Sequence, residues 1–330
     1  MVYILGIGRS GSTLLTFLLN KHPEIKAIPE VPLVLFFANE FKNLKKKSSI
    51  LEGLTKEYLN AMQLMRPKAL VNISGVDSKS NTYETYAEFC EKVFEQCTIM
   101  DSTGPKKIYV DKNPYYSLFT PELRKIDQNA KFIILVRDYR DNVLSRKSKQ
   151  NNKPVNIAYN SFRNRFFLNE LLKNGHGQDC FVLKYEDLVA NPLEKITDVC
   201  SFLDVSFNES IFKNTDLKHK DLEVEFRPLK SFIETHFSHL NRPITIEAVG
   251  KWKNELSEKE VLLIESICDS YGIQYGYQKS AATKAYFWYV LKFFPHYLIA
   301  KWHIWKEKII YKIPSRIKLK RLKSKLQKGI

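Results

Sequence analysis

The sequence predicts an α/β fold of three layers, a central, mostly parallel sheet flanked by helices. Short apolar runs rich in branched residues fall at 2–5, 107–110, 131–136 and 180–183. Helical patterns lie between and after them, and strands that alternate with helices are expected to pair in parallel. The chain has 330 residues, 44% of them apolar, enough for a large core.

The strand at 2–5 enters the loop G-I-G-R-S-G-S-T, residues 6–13, and a helix over 12–20 follows. Residues 39–104 carry weak punctuation and read as a mainly helical insertion over the active-site edge. The strand at 107–110 comes next. The strand K-F-I-I-L-V at 131–136 then leads into a helix over 141–149, and a long periodic helix covers 157–173. After the strand at 180–183, Asn191-Pro192 opens a helix over 192–203. Ser257 and Glu260 form a capping-box pattern at the head of a helix over 257–271. In such sheets ligands sit beyond the carboxyl ends of the strands, which makes the loops at 6–13 and 137–141 candidate binding loops. The expected division is a catalytic body over 1–279 and a basic aromatic tail over 280–330.

The net charge of +16 is unevenly placed. Residues 284–330 hold 13 Lys and Arg against one acid, Glu307, a net +12, and the rest of the chain carries only +4. A nearly neutral body gives no reason to expect a nucleic-acid partner. The five cysteines are odd in number and none are spaced C-x-x-C, which argues against a disulfide framework or a zinc site, and no other metal-ligand cluster is visible. Met1 is followed at once by a strand, leaving no room for a secretory signal. The body therefore reads as cytoplasmic.

The loop at 6–13 admits three phosphate-binding readings. Gly6 and Gly11 have the spacing of a nucleotide-hydrolase P-loop, but Ser12 stands where the triphosphate-binding lysine belongs. Gly6, Gly8 and Gly11 also match the dinucleotide fingerprint, with Glu30 as the ribose-binding acid, which leaves an NAD(P)-dependent oxidoreductase open. Against it, the approach K-H-P-E-I-K-A-I-P-E-V-P holds three prolines and does not suit a central strand. In the third reading Arg9 is the cation, and Ser10, Ser12 and Thr13 donate hydroxyls at a helix N-terminus, where backbone N–H groups and the helix dipole favour an anion. One basic group suits a monoester or diester phosphate better than a triphosphate.

A second anion site follows the strand that ends at Val136. In R-D-Y-R-D-N-V-L-S, Arg137 sits at the strand end, and Ser145, eight residues on, falls nearly on the same helical line. The pair can bind a phosphate; an Arg–Asp surface pair on an ordinary helix is the plainer alternative. Tyr185 stands at a further strand-to-helix join, in K-Y-E-D-L-V-A-N-P. Two anion sites on one sheet edge suit a nucleotide with phosphates at both ends of its ribose.

The motifs G-I-G-R-S-G-S-T-L-L, L-V-R-D-Y-R-D-N-V-L-S, K-Y-E-D-L-V-A-N-P and V-G-K-W-K-N-E-L-S, in that order, resemble those of sulfotransferases that use 3′-phosphoadenosine 5′-phosphosulfate. The likeness runs from Val2 to about Tyr277 and is nearest to the tyrosylprotein-sulfotransferase-like branch. It implies a P-loop-like fold. It also implies in-line transfer of a sulfuryl group to an acceptor hydroxyl (carbohydrate, lipid, small molecule or tyrosine), with no metal required. By this resemblance Gly8, Arg9, Ser10, Gly11, Ser12 and Thr13 hold the donor's 5′ end, Arg137 and Ser145 hold its 3′-phosphate, and Tyr185 also binds the donor. Glu30 is the general base, Lys112 in V-D-K-N-P-Y-Y is a donor-side lysine, and Ser238 is the serine near the bridging oxygen. The small-phenol enzymes of the superfamily use a loop lysine and a histidine base, and neither is matched here. A non-catalytic nucleotide-binding protein is the third alternative.

The tail holds three of the four tryptophans, Trp288, Trp302 and Trp305. Charges and Pro295 interrupt it before 18 apolar residues accumulate, too short a run to span a bilayer. Leu319, Leu322 and Leu326 form a stripe among basic groups. The expectation is an amphipathic helix in peripheral contact with the cytoplasmic membrane face. The alternatives are an aromatic half packed on the body and binding of an acidic polymer.

Overall fold

The computed structural model describes residues 1–65, 71–73, 77, 83–99, 105–147, 154–207, 244–280 and 286–327. In chain order the elements are β1 (Val2–Gly6), α1 (Ser12–Leu19), β2 (Ile25–Pro29), α2 (Leu33–Phe41), α3 (Ser49–Gln63), β3 (Val71–Asn72), α4 (Tyr86–Gln96), β4 (Thr98–Ile99) and β5 (Ile108–Lys112). A 3₁₀ turn at Pro114–Leu118 precedes α5 (Thr120–Ile126), β6 (Lys131–Val136), α6 (Tyr139–Lys147), α7 (Pro154–Asn174), β7 (Cys180–Lys184), α8 (Tyr185–Ala190) and α9 (Pro192–Phe202). The last helices are α10 (Trp252–Glu255), α11 (Glu258–Gly272), α12 (Tyr286–Lys292), α13 (Phe294–Lys312) and α14 (Ser315–Gln327).

Five strands form one sheet in the order β2-β5-β1-β6-β7, with every pairing parallel. All five residues of β1 are buried, as expected of a central strand covered by helices on both faces. Tyr3, Phe132 and Tyr116 pack around it with ring centroids 5.7 Å apart. The insertion is mainly helical, through α3 and α4, and adds a small antiparallel pair, β3 with β4. The capping box of α11 is complete: Ser257 Oγ accepts from the Glu260 N–H, and Glu260 Oε2 accepts from the Ser257 N–H at 2.9 Å.

The approach to Glu30 forms no central strand, as its prolines predict. The segment does contain a strand, β2, buried along its whole length. It is the outermost strand, and Pro29 is its last residue, so the missing N–H removes no central ladder bond.

The tail packs on the body. On α13, Tyr297 meets Phe162 of α7 edge to face and Phe166 at a tilt, with ring centroids 5.5 and 5.7 Å apart, and Lys308 pairs with Glu170 at 3.3 Å. On α14, Ser315 donates its N–H to Glu40 at 3.1 Å, Lys318 Nζ reaches the Phe36 carbonyl, and Lys323 pairs with Glu57 at 2.6 Å. Leu319, the first residue of the apolar stripe, is buried there and does not face outward. Among the described residues no helix is long and apolar enough to cross a membrane.

Candidate functional site

Each strand of the large sheet ends on a residue or loop singled out by the sequence. β1 runs into residues 6–13, β2 into Glu30, β6 into Arg137 and β7 into Tyr185, while Lys112 is the last residue of β5. Parallel pairing makes these ends neighbours. Pro29 is in register with Lys112, and the Glu30 N–H donates to the Lys112 carbonyl at 2.9 Å.

The turn after β1 is held from several sides. Gly11 caps α1 at φ 89°, and a Cβ there would lie 2.4 Å from the Tyr185 ring, so only glycine fits. No side chain caps α1, which leaves its first backbone N–H groups facing the loop. Asn142 Nδ2 donates to the Gly8 carbonyl at 3.1 Å and to Ser10 Oγ at 3.2 Å, and Arg146 donates to the same carbonyl. Lys112 Nζ lies 3.4 Å from Thr13 Oγ1.

Arg9 joins the predicted pieces. Its Nε donates to Ser145 Oγ at 3.1 Å, and its carbonyl accepts from Arg137 Nη1 at 3.0 Å. Arg137 and Ser145 thus both converge on Arg9. The Arg137 guanidinium also lies over the Tyr185 ring, 4.5 Å from its centre, and donates to the Ala248 carbonyl at 2.6 Å. Burial lowers the Arg9 pKa, as does the charge of Arg137, while the charge of Glu30 opposes them. Burial, with Arg163 and Arg9 nearby, pushes the Arg146 guanidinium down to about 9. The hydrogen bonds of Arg9, Arg137 and Arg146 run to neutral oxygens: hydroxyl, carbonyl and amide. Such a set of cations in low dielectric favours an anion.

Beside this cluster, Lys112 Nζ and Glu30 Oε1 form an ion pair at 2.5 Å, the lysine side chain 3% exposed and the glutamate 28%. Glu30 is the more open partner of the two. Among the described residues the non-glycine positions with positive φ are Arg9 (78°), Glu30 (54°) and Asp204 (58°). Backbone strain of this kind concentrates at functional sites, and two of these residues lie on the carboxyl edge of the sheet.

Several contributors have contacts that the motifs alone do not specify. Asp141 accepts from the Gly250 and Trp252 N–H groups at 2.7 and 2.9 Å, which ties the V-G-K-W-K segment to α6. Asn142 and Arg146 both act on the Gly8 carbonyl, more than 130 residues away. Ser238 lies outside the described residues. No group of His, Cys, Asp and Glu able to hold a metal occurs among the described residues.

The strand order decides between the open readings of the loop. A dinucleotide site places its acid at the end of the strand next to the glycine-loop strand. Here β5 lies between β1 and β2, so Glu30 is two strands away and already paired with Lys112.

A family model described as "Sulfotransferase family" matches residues 2–209. The chain is 25% identical over 271 residues to the protein-tyrosine sulfotransferase of Drosophila melanogaster, covering 78% of this chain and 47% of that protein. It is 22% identical over 283 residues to protein-tyrosine sulfotransferase A of Caenorhabditis elegans, covering 81% and 64%. The match thus spans about half to under two-thirds of these relatives. Among solved structures, the sulfotransferase domain of the Synechococcus PCC 7002 olefin synthase superposes with a TM-score of 0.53 at 24% identity, covering 84% of this chain and 94% of that one. That likeness shows a shared fold.

Proposed function

We propose that this chain, which belongs to the sulfotransferase family, moves a sulfuryl group from 3′-phosphoadenosine 5′-phosphosulfate to an acceptor hydroxyl. The observation that carries the reading is the pairing of Glu30 with Lys112 at 2.5 Å beside a cluster of arginines whose hydrogen bonds, among the described residues, run to neutral oxygens. The cluster fits the donor. Arg9, Ser10, Ser12 and Thr13, with the N–H groups of α1, suit its 5′ end, and Arg137, Ser145 and Tyr185 suit its 3′ end. The acceptor is a hydroxyl of a carbohydrate, lipid, small molecule or tyrosine; the names of the two relatives favour tyrosine.

The acceptor oxygen attacks sulfur while the bond from sulfur to the bridging oxygen breaks. As in phosphoryl transfer, positioning and charge stabilisation supply most of the catalysis. Glu30 takes the acceptor's proton, and its pairing with Lys112 at 2.5 Å fixes where its carboxylate stands. Arg9 and Lys112 offset the charge that grows on the departing bisphosphate. When the proton arrives on Glu30, the Lys112 ammonium loses its carboxylate partner as the leaving group gains charge, so one lysine serves both events.

The test uses radiolabelled donor and a panel of hydroxyl acceptors. Transfer by the wild type, with loss in Glu30→Gln and in Arg9→Ala, is expected. Normal transfer in both variants overturns the assignment. Binding of the bisphosphate without transfer to any acceptor would instead favour a nucleotide-binding protein that is not an enzyme.

A further inference from the structure

Helix α13 has two apolar faces, and the fold uses one. Tyr297, Ala300, Ile304 and Tyr311 pack inward on the core. On the other side Phe294, Leu298, Trp302, Trp305 and Ile309 are 47%, 46%, 54%, 52% and 36% exposed. At 3.6 residues per turn these five positions fall within an arc of about 80°. Trp302 and Trp305 touch each other, with ring centroids 4.9 Å apart. In α12, Phe287, Trp288 and Leu291 extend the exposed apolar surface. Eight exposed apolar side chains, three of them tryptophans, clustered on two consecutive helices mark an interaction site.

Its surroundings are basic. Lys301 and Lys306, both exposed, lie on the two edges of the arc, and Lys312 closes it at the C-terminal end. Lys292 is the last residue of α12, and the exposed Arg316, Lys320, Arg321 and Lys323 follow on α14. The one acid of the tail, Glu307, is on the inward side and is not exposed. Two copies of this chain could not share the face without opposing two strongly basic segments. Tryptophan is an amphipathic ring suited to a membrane–water boundary, and lysines beside it extend their stems over apolar surface while their charges reach anionic headgroups. We infer that the outer face of α12 and α13 docks the protein on an anionic lipid surface, lying in the interface without crossing it. The docking face is therefore the aromatic face of α12 and α13, not the leucine stripe of α14, which packs on the body.

The test is co-sedimentation of the full chain with vesicles of phosphatidylcholine alone and of phosphatidylcholine mixed equally with phosphatidylserine, read together with tryptophan emission. The expected result is binding to the mixed vesicles with a blue shift, at least tenfold weaker binding to the neutral ones, and release by salt. Trp302→Ser combined with Trp305→Ser should weaken binding tenfold or more with an unchanged melting temperature, because both side chains are exposed. Lys301→Gln with Lys306→Gln should weaken it less and reduce its salt dependence. Equal binding of the tryptophan variant and the wild type would overturn the inference. So would retention on heparin without vesicle binding, which assigns the face to an acidic polymer, or a dimer abolished by the tryptophan substitutions. None of these readouts depends on sulfuryl transfer.

Discussion

Beyond β1 and β6, the guanidinium groups of Arg9, Arg137 and Arg146 meet with neutral oxygens for partners; beyond β2 and β5, one carboxylate and one ammonium meet each other. The first half holds concentrated positive charge and so is suited to take an anion. The second is internally neutral and can pass a proton and accept developing charge without a net change in what is buried. On the proposed reading, binding and chemistry are separated along one sheet edge, with Arg9, hydrogen bonded to Ser145 and within electrostatic reach of Glu30, at the join. That separation predicts that substitutions on the two sides fail in different ways.

The largest effect is expected at Glu30. Glu30→Gln keeps an acceptor for Lys112 but removes the base, so turnover should fall by roughly 10² to 10⁴ while affinity for adenosine 3′,5′-bisphosphate stays within twofold or so, read by single-turnover transfer and by calorimetry. A parallel loss of affinity would merge the two halves into one.

Next is Arg137→Ala. Losing a charged hydrogen-bonding partner of a phosphate costs about 1.5–3 kcal/mol, hence about a tenfold to hundredfold weaker bisphosphate affinity, and added salt should narrow the difference. An unchanged affinity would leave Arg137 as a brace for the Arg9 and Ala248 carbonyls. Gly11→Ala forces a side chain onto a left-handed backbone and into the Tyr185 ring, and should cost about 1–3 kcal/mol in denaturant unfolding, together with bisphosphate affinity.

The smallest effect on ligand binding lies outside both halves. Asp111, beside Lys112 in β5 but buried with Tyr116, has its carboxyl pushed up to about 8, chiefly by burial. A group whose pKa is raised on folding contributes stability that is fully present below its unfolded pKa, about 3.8, and that is lost as the pH rises through about 8. Melting temperature should therefore decline between these pH values, and Asp111→Asn should flatten the decline without changing bisphosphate affinity.

The sheet and the binding half were legible because their signals are local. An apolar run followed by glycines and hydroxyls, or by Arg137 at a strand end, places backbone and side chain within ten residues of each other. The chemical half was harder. β2 is hidden by Pro23, Pro29 and Pro32, and its edge position, which makes Pro29 harmless, is a fact of topology. Glu30 and Lys112 are 82 residues apart, and only the parallel register of β2 with β5 brings them together. Asn142 and Arg146 recognise the Gly8 backbone carbonyl, which leaves no mark in the sequence. The tail's composition announced aromatic and basic character, but which face packs and which remains exposed depends on the surface of α7 beneath it.

The most direct test of the account is a calorimetric titration of adenosine 3′,5′-bisphosphate, beside NAD and ATP, into the wild type, Arg137→Ala and Glu30→Gln. Selective binding of the bisphosphate, lost in Arg137→Ala and kept in Glu30→Gln, is the predicted result. Binding of NAD in its place, with an affinity that depends on Glu30, would contradict both the site assignment and the division of labour drawn from it.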